Sequence, residues 1–154
     1  MGLFDRIFKS NSYSKNGYTP RSENEAWVSL LYACMAVDGD ISEAETDSFI
    51  RLLVFKNRFA NVDIVPLYQT AMEVKKQTGP QYMIDQCAPM IHADDRLTIL
   101  ALATELVLAD GIIADDEQEL LEYVTQKLGI DTPTATKIIE VILIKNKGNR
   151  IIID

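Results

Sequence analysis

Along this chain, apolar residues recur three and four apart, with short polar breaks between the runs; this is the pattern of helices, and no strand-like alternation appears before the last residues. Leu3, Phe4, Ile7 and Phe8 share one face of a short amphipathic segment over residues 1–9, and residues 10–21 read as a mobile polar linker. Ser22-Glu23-Asn24-Glu25 has the form of a capping box, and Trp27, Leu30, Leu31, Cys34 and Met35 line one side of the helix it opens. That helix should stop at Asp38-Gly39. Ser42 should cap the next, with Phe49, Leu52 and Leu53 inward, fading by Phe59.

A third helix is predicted over residues 63–77, with Pro66 tolerated in its first turn, and a shorter one over residues 80–88, stopped by Pro89. Asp94 or Asp95 should cap the most apolar run, which is hydrophobic nearly all round and is therefore expected to be the central buried helix. Residues 116–128 follow, ending at Gly129. Thr132 and Pro133 start the last helix, with Ile138, Ile139, Val141, Ile142 and Leu143 expected inside and Gly148 ending it. The tail from Asn149 to Asp154 carries three consecutive isoleucines and reads as extended. The fold expected is all-α, a single bundle of about seven helices, with a segment and linker at 1–21, a helical domain at 22–147 and a tail at 148–154.

Composition narrows the function. A chain of 154 residues can bury a real core, and its net charge of −8 without a basic stripe argues against nucleic acid while favouring cations or basic partners. Cys34 and Cys87 lie in apolar contexts with no CxxC spacing, so both read as reduced core thiols of a cytoplasmic protein. No secretory leader and no membrane-spanning run is expected. The N-myristoylation pattern fails at Arg6; the 1–9 segment reads either as a helix docking on the core or a second subunit, or as a weak membrane-surface contact. A single histidine, His92, is too few for a histidine-rich zinc site or a helical di-iron site, and nothing near it resembles a nucleophile elbow.

One acidic pattern occurs twice. Val37-Asp38-Gly39-Asp40-Ile41-Ser42-Glu43-Ala44-Glu45 and Ala109-Asp110-Gly111-Ile112-Ile113-Ala114-Asp115-Asp116-Glu117 both read small apolar, Asp, Gly, any residue, Ile, any, acid, any, Glu. Each joins two apolar helical runs, so residues 22–57 and 94–128 are expected to be pseudo-symmetric helix–DGxI–helix repeats related by an internal dyad. Gly39 and Gly111 would let the chain turn sharply and aim a carbonyl inward. Carboxylate and carbonyl oxygens suit hard cations, and if the halves face each other, Asp38, Glu45, Asp110 and Glu117 converge; a divalent ion would relieve their repulsion. Asp40, Ser42, Glu43, Asp115 and Asp116 are second-tier candidates. The spacing is too tight for an EF-hand loop, so both corners would be needed. The alternative is structural: Ser42 with Glu45 is itself a capping box, and acids in a first helical turn suit the helix dipole. Against pure capping, the second copy has Ala114 where the first has Ser42 and still keeps Glu117.

The two DGxI-x-x-x-E corners, each between apolar helices, resemble the TerB-like tellurite-resistance domain over about residues 22 to 145, and through it the N-terminal domain of a membrane-anchored DnaJ-type co-chaperone. The resemblance implies an all-helical bundle linked to tellurite and general stress responses, with no reaction of its own. It also implies metal chelation by acidic positions that correspond here to Asp38, Glu45, Asp110 and Glu117. Ile112 stands where the first copy has Asp40, so such a site would be asymmetric. The expectation is a non-catalytic module that holds a divalent cation, calcium or magnesium. A metal-free protein-interaction scaffold or dimerisation module is the competing one, with an unidentified protein partner or a second copy. A hydrolase using two carboxylates finds no substrate-binding aromatic cluster beside the motifs.

Overall fold

A computed structural model describes residues 17–37, 41–109 and 111–150. The predicted helix within residues 1–9, most of the linker, the Asp38-Gly39 stop, Asp110 and the isoleucine tail lie outside the described residues.

The described residues form seven α-helices and no strand: α1 (Glu23–Met35), α2 (Glu43–Val54), α3 (Ile64–Thr78), α4 (Pro80–Cys87), α5 (Arg96–Val107), α6 (Asp115–Lys127) and α7 (Thr132–Asn146). Short 3-10 turns at Asn57–Phe59, Ala88–Met90 and Ala93–Asp95 link some of them. The starts follow local chemistry. Ser22, Ser42, Asp63 and Asp131 each accept a backbone N–H from the first turn that follows, and Pro80 and Pro133 stand where a missing N–H costs nothing. The expected cap on α5 is absent: the Asp95 carboxylate goes to Arg58 instead, at 3.1 Å.

The central helix is α1, not α5. It packs on α3, α4 and α5, and every residue from Glu25 to Cys34 is buried. Helix α5 also has three neighbours, α1, α6 and α7, but they cover it less completely and leave Leu97 48% exposed. Helix α7 departs further from expectation. None of its five predicted core residues is fully buried, and Val141 and Ile144 are 61% and 75% exposed, since α5 is its main neighbour.

The Ser22 capping box is only half made. Ser22 Oγ accepts the Glu25 N–H at 3.1 Å, but the Glu25 carboxylate, 4% exposed, accepts from the Tyr18 hydroxyl at 2.7 Å and the Arg21 N–H at 3.2 Å. Tyr18 also donates its backbone N–H to the Tyr82 hydroxyl at 2.9 Å, so the end of the predicted linker is anchored to α1 and α4. Burial pushes the Tyr18 hydroxyl well above its ordinary range, so it stays a donor to the carboxylate.

At the same end of α1, Arg58 joins two helix starts. Its guanidinium lies 3.2 Å from Glu23, 3.1 Å from Asp95 and over the Trp27 ring. The Glu23 carboxyl is held below its usual value, first by the His92 N–H at 2.8 Å and then by Arg58. Two further clips close the bundle: Arg96 donates to the Leu128 carbonyl at 2.8 Å, and Gln81 of α4 donates to the Tyr123 hydroxyl of α6 at 3.1 Å.

The two helix–corner–helix units are not packed equivalently. Helix α5 lies against α6, whereas α1 packs mainly on α3, α4 and α5. This packing does not establish an internal dyad.

Candidate functional site at the acidic corners

Both corners begin alike. Ala36 donates its N–H to the Tyr32 carbonyl and Leu108 to that of Thr104, each at 2.8 Å, which closes the last turns of α1 and α5. The chain then reaches α2 through Ile41 and Ser42, and α6 through residues 111–114.

At the first corner, Ser42 Oγ accepts the Glu45 N–H at 3.1 Å and Glu45 Oε1 accepts the Ser42 N–H at 3.2 Å, a complete capping box. The second corner makes half of it. Glu117 Oε1 accepts the Ala114 N–H at 3.1 Å even though Ala114 has no hydroxyl to return. The orphan Glu117 N–H is taken by its neighbour Asp116 at 3.0 Å. The persistence of Glu117 opposite an alanine is therefore compatible with capping, contrary to the argument from sequence.

Of the four predicted ligands, Asp38 and Asp110 lie outside the described residues, as does Asp40. Glu45 is exposed and Glu117 half-buried, and each gives an oxygen to its own helix start. Ser42 and Asp116 act as caps, while Glu43 and Asp115 are exposed. Among the described residues, no three acidic, histidine or cysteine side chains gather so as to hold a metal.

What the structure does bring together is a groove of about 830 Å³ that touches both corners. Its walls include Met35 at the end of α1, Glu45 and Leu52 of α2, Glu105 and Val107 of α5, Ala109 beside Asp110, and Asn146 of α7. Arg51 and Arg150 also line it, so its charge is mixed.

Three side chains that brace this region were not singled out from sequence. Asn146, 2% exposed, donates to Glu105 at 3.0 Å and accepts from Asn149 at 3.0 Å. Asn149 in turn donates to the Ala109 carbonyl at 3.1 Å. Glu105 also pairs with Lys145. The signal available was an asparagine just past the apolar run of α7; its partners lie some 40 residues away and were not visible locally.

Elsewhere, nucleophilic chemistry finds little support. His92 is exposed, and its Nδ1 accepts the Asp94 N–H. Cys34 and Cys87 are free and buried, as expected; burial pushes the Cys34 thiol up to about 12 and Cys87 higher still, so neither is a thiolate near neutral pH.

The capping geometry makes a direct prediction. Ser42→Ala should cost about 1 kcal/mol, while Ala114→Ser should stabilise the domain by less than that, because Asp116 already accepts the Glu117 N–H. Urea denaturation of the two variants reads both signs.

A helical bundle with two acidic helix–corner–helix units is a class of fold that does not define a reaction. The chain matches the family described as tellurite resistance protein TerB over residues 24–138, most of its length, and it belongs to that family. Comparison with curated proteins and with solved structures gives no match. The domain is thus of the tellurite-resistance type. No described helix is long and apolar enough to cross a membrane.

Proposed function

We propose that the domain is a non-catalytic metal-binding module of a cytoplasmic stress response, in which Asp38, Glu45, Asp110 and Glu117 hold a divalent cation, calcium or magnesium. The observation that carries this reading is the shared groove: Glu45 of the first corner and Ala109, the neighbour of Asp110, border the same space. The donors are hard oxygens, which suit these ions. Capping does not remove Glu45 or Glu117 from consideration, because a carboxylate has two oxygens and about four acceptor positions. The described residues do not by themselves complete a donor set, so the reading depends on both aspartates. A bound cation would offset repulsion between the corners and stabilise the folded state by mass action.

A melting scan with EDTA, calcium, magnesium, manganese and zinc tests this. At a hundredfold excess over Kd a bound ion contributes about 2.7 kcal/mol, a rise of roughly 5–10 °C for a domain of this size. Glu45→Gln and Glu117→Gln retain an oxygen that can cap but lose the charge, so they should leave the ion-free melt nearly unchanged and shrink the rise. Asp38→Asn and Asp110→Asn should abolish it. No shift with any ion removes the reading.

The competing reading, a metal-free scaffold that binds a protein partner or a second copy, is favoured by the exposed Val141 and Ile144 of α7. It gains ground if every ion leaves the melt unmoved.

A further inference from the structure

We propose that α2 is a lid that rolls about its own buried edge and shuts the groove against the ends of α5 and α7. The attachments of α2 run along one edge. Phe49 and Leu53 are its only fully buried side chains, with Ile50 half-buried beside them. Thr46 shares a hydrogen bond with the Tyr68 hydroxyl at 2.9 Å. Thr46, Phe49 and Leu53 recur at i, i+3 and i+7, which is one line on a helix. Among the described residues, no neighbouring element packs along the length of α2. Glu45, Ser48 and Leu52 repeat the same spacing one position earlier, and all three line the groove. A roll about the attached edge swings that second line across the gap.

The two walls suit each other. On the α2 side stand Leu52, Arg51 and Glu45; across the groove stand Val107, Glu105 and Arg150. Each side offers apolar surface, one acid and one base. Neither arginine is in an ion pair among the described residues. Glu105 holds Lys145, and a carboxylate has acceptor positions left for a second cation. Removing apolar surface from water is the larger drive for closure, since exposed ion pairs contribute little. The charges set which way the walls meet. Closure also carries Glu45 toward Ala109, the neighbour of Asp110, so an ion held by both corners would favour the shut state. The lid itself needs no ion, and its test is run in EDTA, where the fate of the metal reading does not enter.

Pulsed EPR on the full chain, with nitroxides at Asp47→Cys and Lys147→Cys, measures the gap from outside the groove. The native thiols do not compete for the label, because both are buried. Two distance populations are expected. The shorter lies closer by about 5–10 Å, because a roll moves the outer face of a helix by no more than roughly its diameter. Ser48→Leu adds apolar surface to the closing line and should raise the short population several-fold. Arg51→Glu sets an acid toward Glu105 and should lower it by a similar factor. Both changes fall on exposed positions, so the fold should tolerate them. A single population in the parent chain, or a ratio that does not move in those two directions, overturns the proposal. Dilution with unlabelled chains should leave both populations in place. Loss of the short one on dilution makes it a contact between copies and overturns the lid.

Discussion

Gly111→Ala should destabilise the domain by about 3 kcal/mol or more, a large part of the roughly 5–15 kcal/mol that holds a domain folded. Two independent terms act. Gly111 has φ +76°, where an L side chain costs about 1–2 kcal/mol. An added Cβ would also stand 2.4 Å from the Asn146 carbonyl oxygen and 2.8 Å from Lys147 Cα, backbone atoms that a rotamer change cannot move. Overpacking of this kind costs about 1–3 kcal/mol. Gly148 is the internal control. Its φ of +78° is nearly the same, and a Cβ there meets nothing within 4 Å. Gly148→Ala should therefore lose only the conformational term, and the difference between the two urea midpoints isolates the close approach of the corner to α7. Equal losses would mean that the end of α7 moves aside at little cost. The glycine of the second motif thus has a packing role that holds whether or not an ion binds.

The helical class and most element starts could be read from the sequence because they depend on neighbours in the chain. Ser42, Asp63 and Asp131 bond within three residues, and Pro80 fixes its own backbone angle. The family, too, was legible, since the paired motifs lie inside the matched span of residues 24–138. Burial was harder to read. The run leading to Ala109 is the more apolar, yet α1 is central because its neighbours α3, α4 and α5 cover every residue from Glu25 to Cys34, while the three neighbours of α5 leave part of it exposed. Six apolar residues in seven near the end of α7 looked like a core face, but a helix with one main neighbour buries only one side. Glu25 illustrates the same limit at one side chain: the local pattern assigned it to Ser22, and Tyr18 claimed it. At the site, the duplicated acids were visible, whereas Glu105, Asn146 and Asn149 act through contacts across about 40 residues that no local pattern encodes. The reason for Gly111 was also hidden, because it lies in the path of another helix.

Phe49→Ala should cost about 3–5 kcal/mol, and the loss should fall unevenly across the bundle. Helix α2 carries the first acidic corner and one wall of the groove, yet only Phe49 and Leu53 of its side chains are fully buried. The Phe49 ring meets Tyr68 of α3 edge-on at 5.4 Å, and Tyr68 meets Tyr32 of α1 at 5.2 Å, so α2 is coupled to the central helix through one aromatic chain. Removing the first ring loses its burial, opens a cavity and removes an edge contact worth about 1 kcal/mol in its own right. With Leu53 and the Thr46–Tyr68 hydrogen bond at 2.9 Å as the main remaining anchors, α2 should open locally before the rest unfolds. Amide exchange should then accelerate more in α2 than in α1, by a factor larger than the change in global stability accounts for. The Ser42–Glu45 box travels with α2, so the same variant should also weaken any ion-dependent rise in melting temperature, although Phe49 donates nothing to an ion. If α2 amides in Phe49→Ala exchange no faster than the global loss dictates, the helix is fixed by other contacts. In that case the position of Glu45 is independent of the aromatic chain.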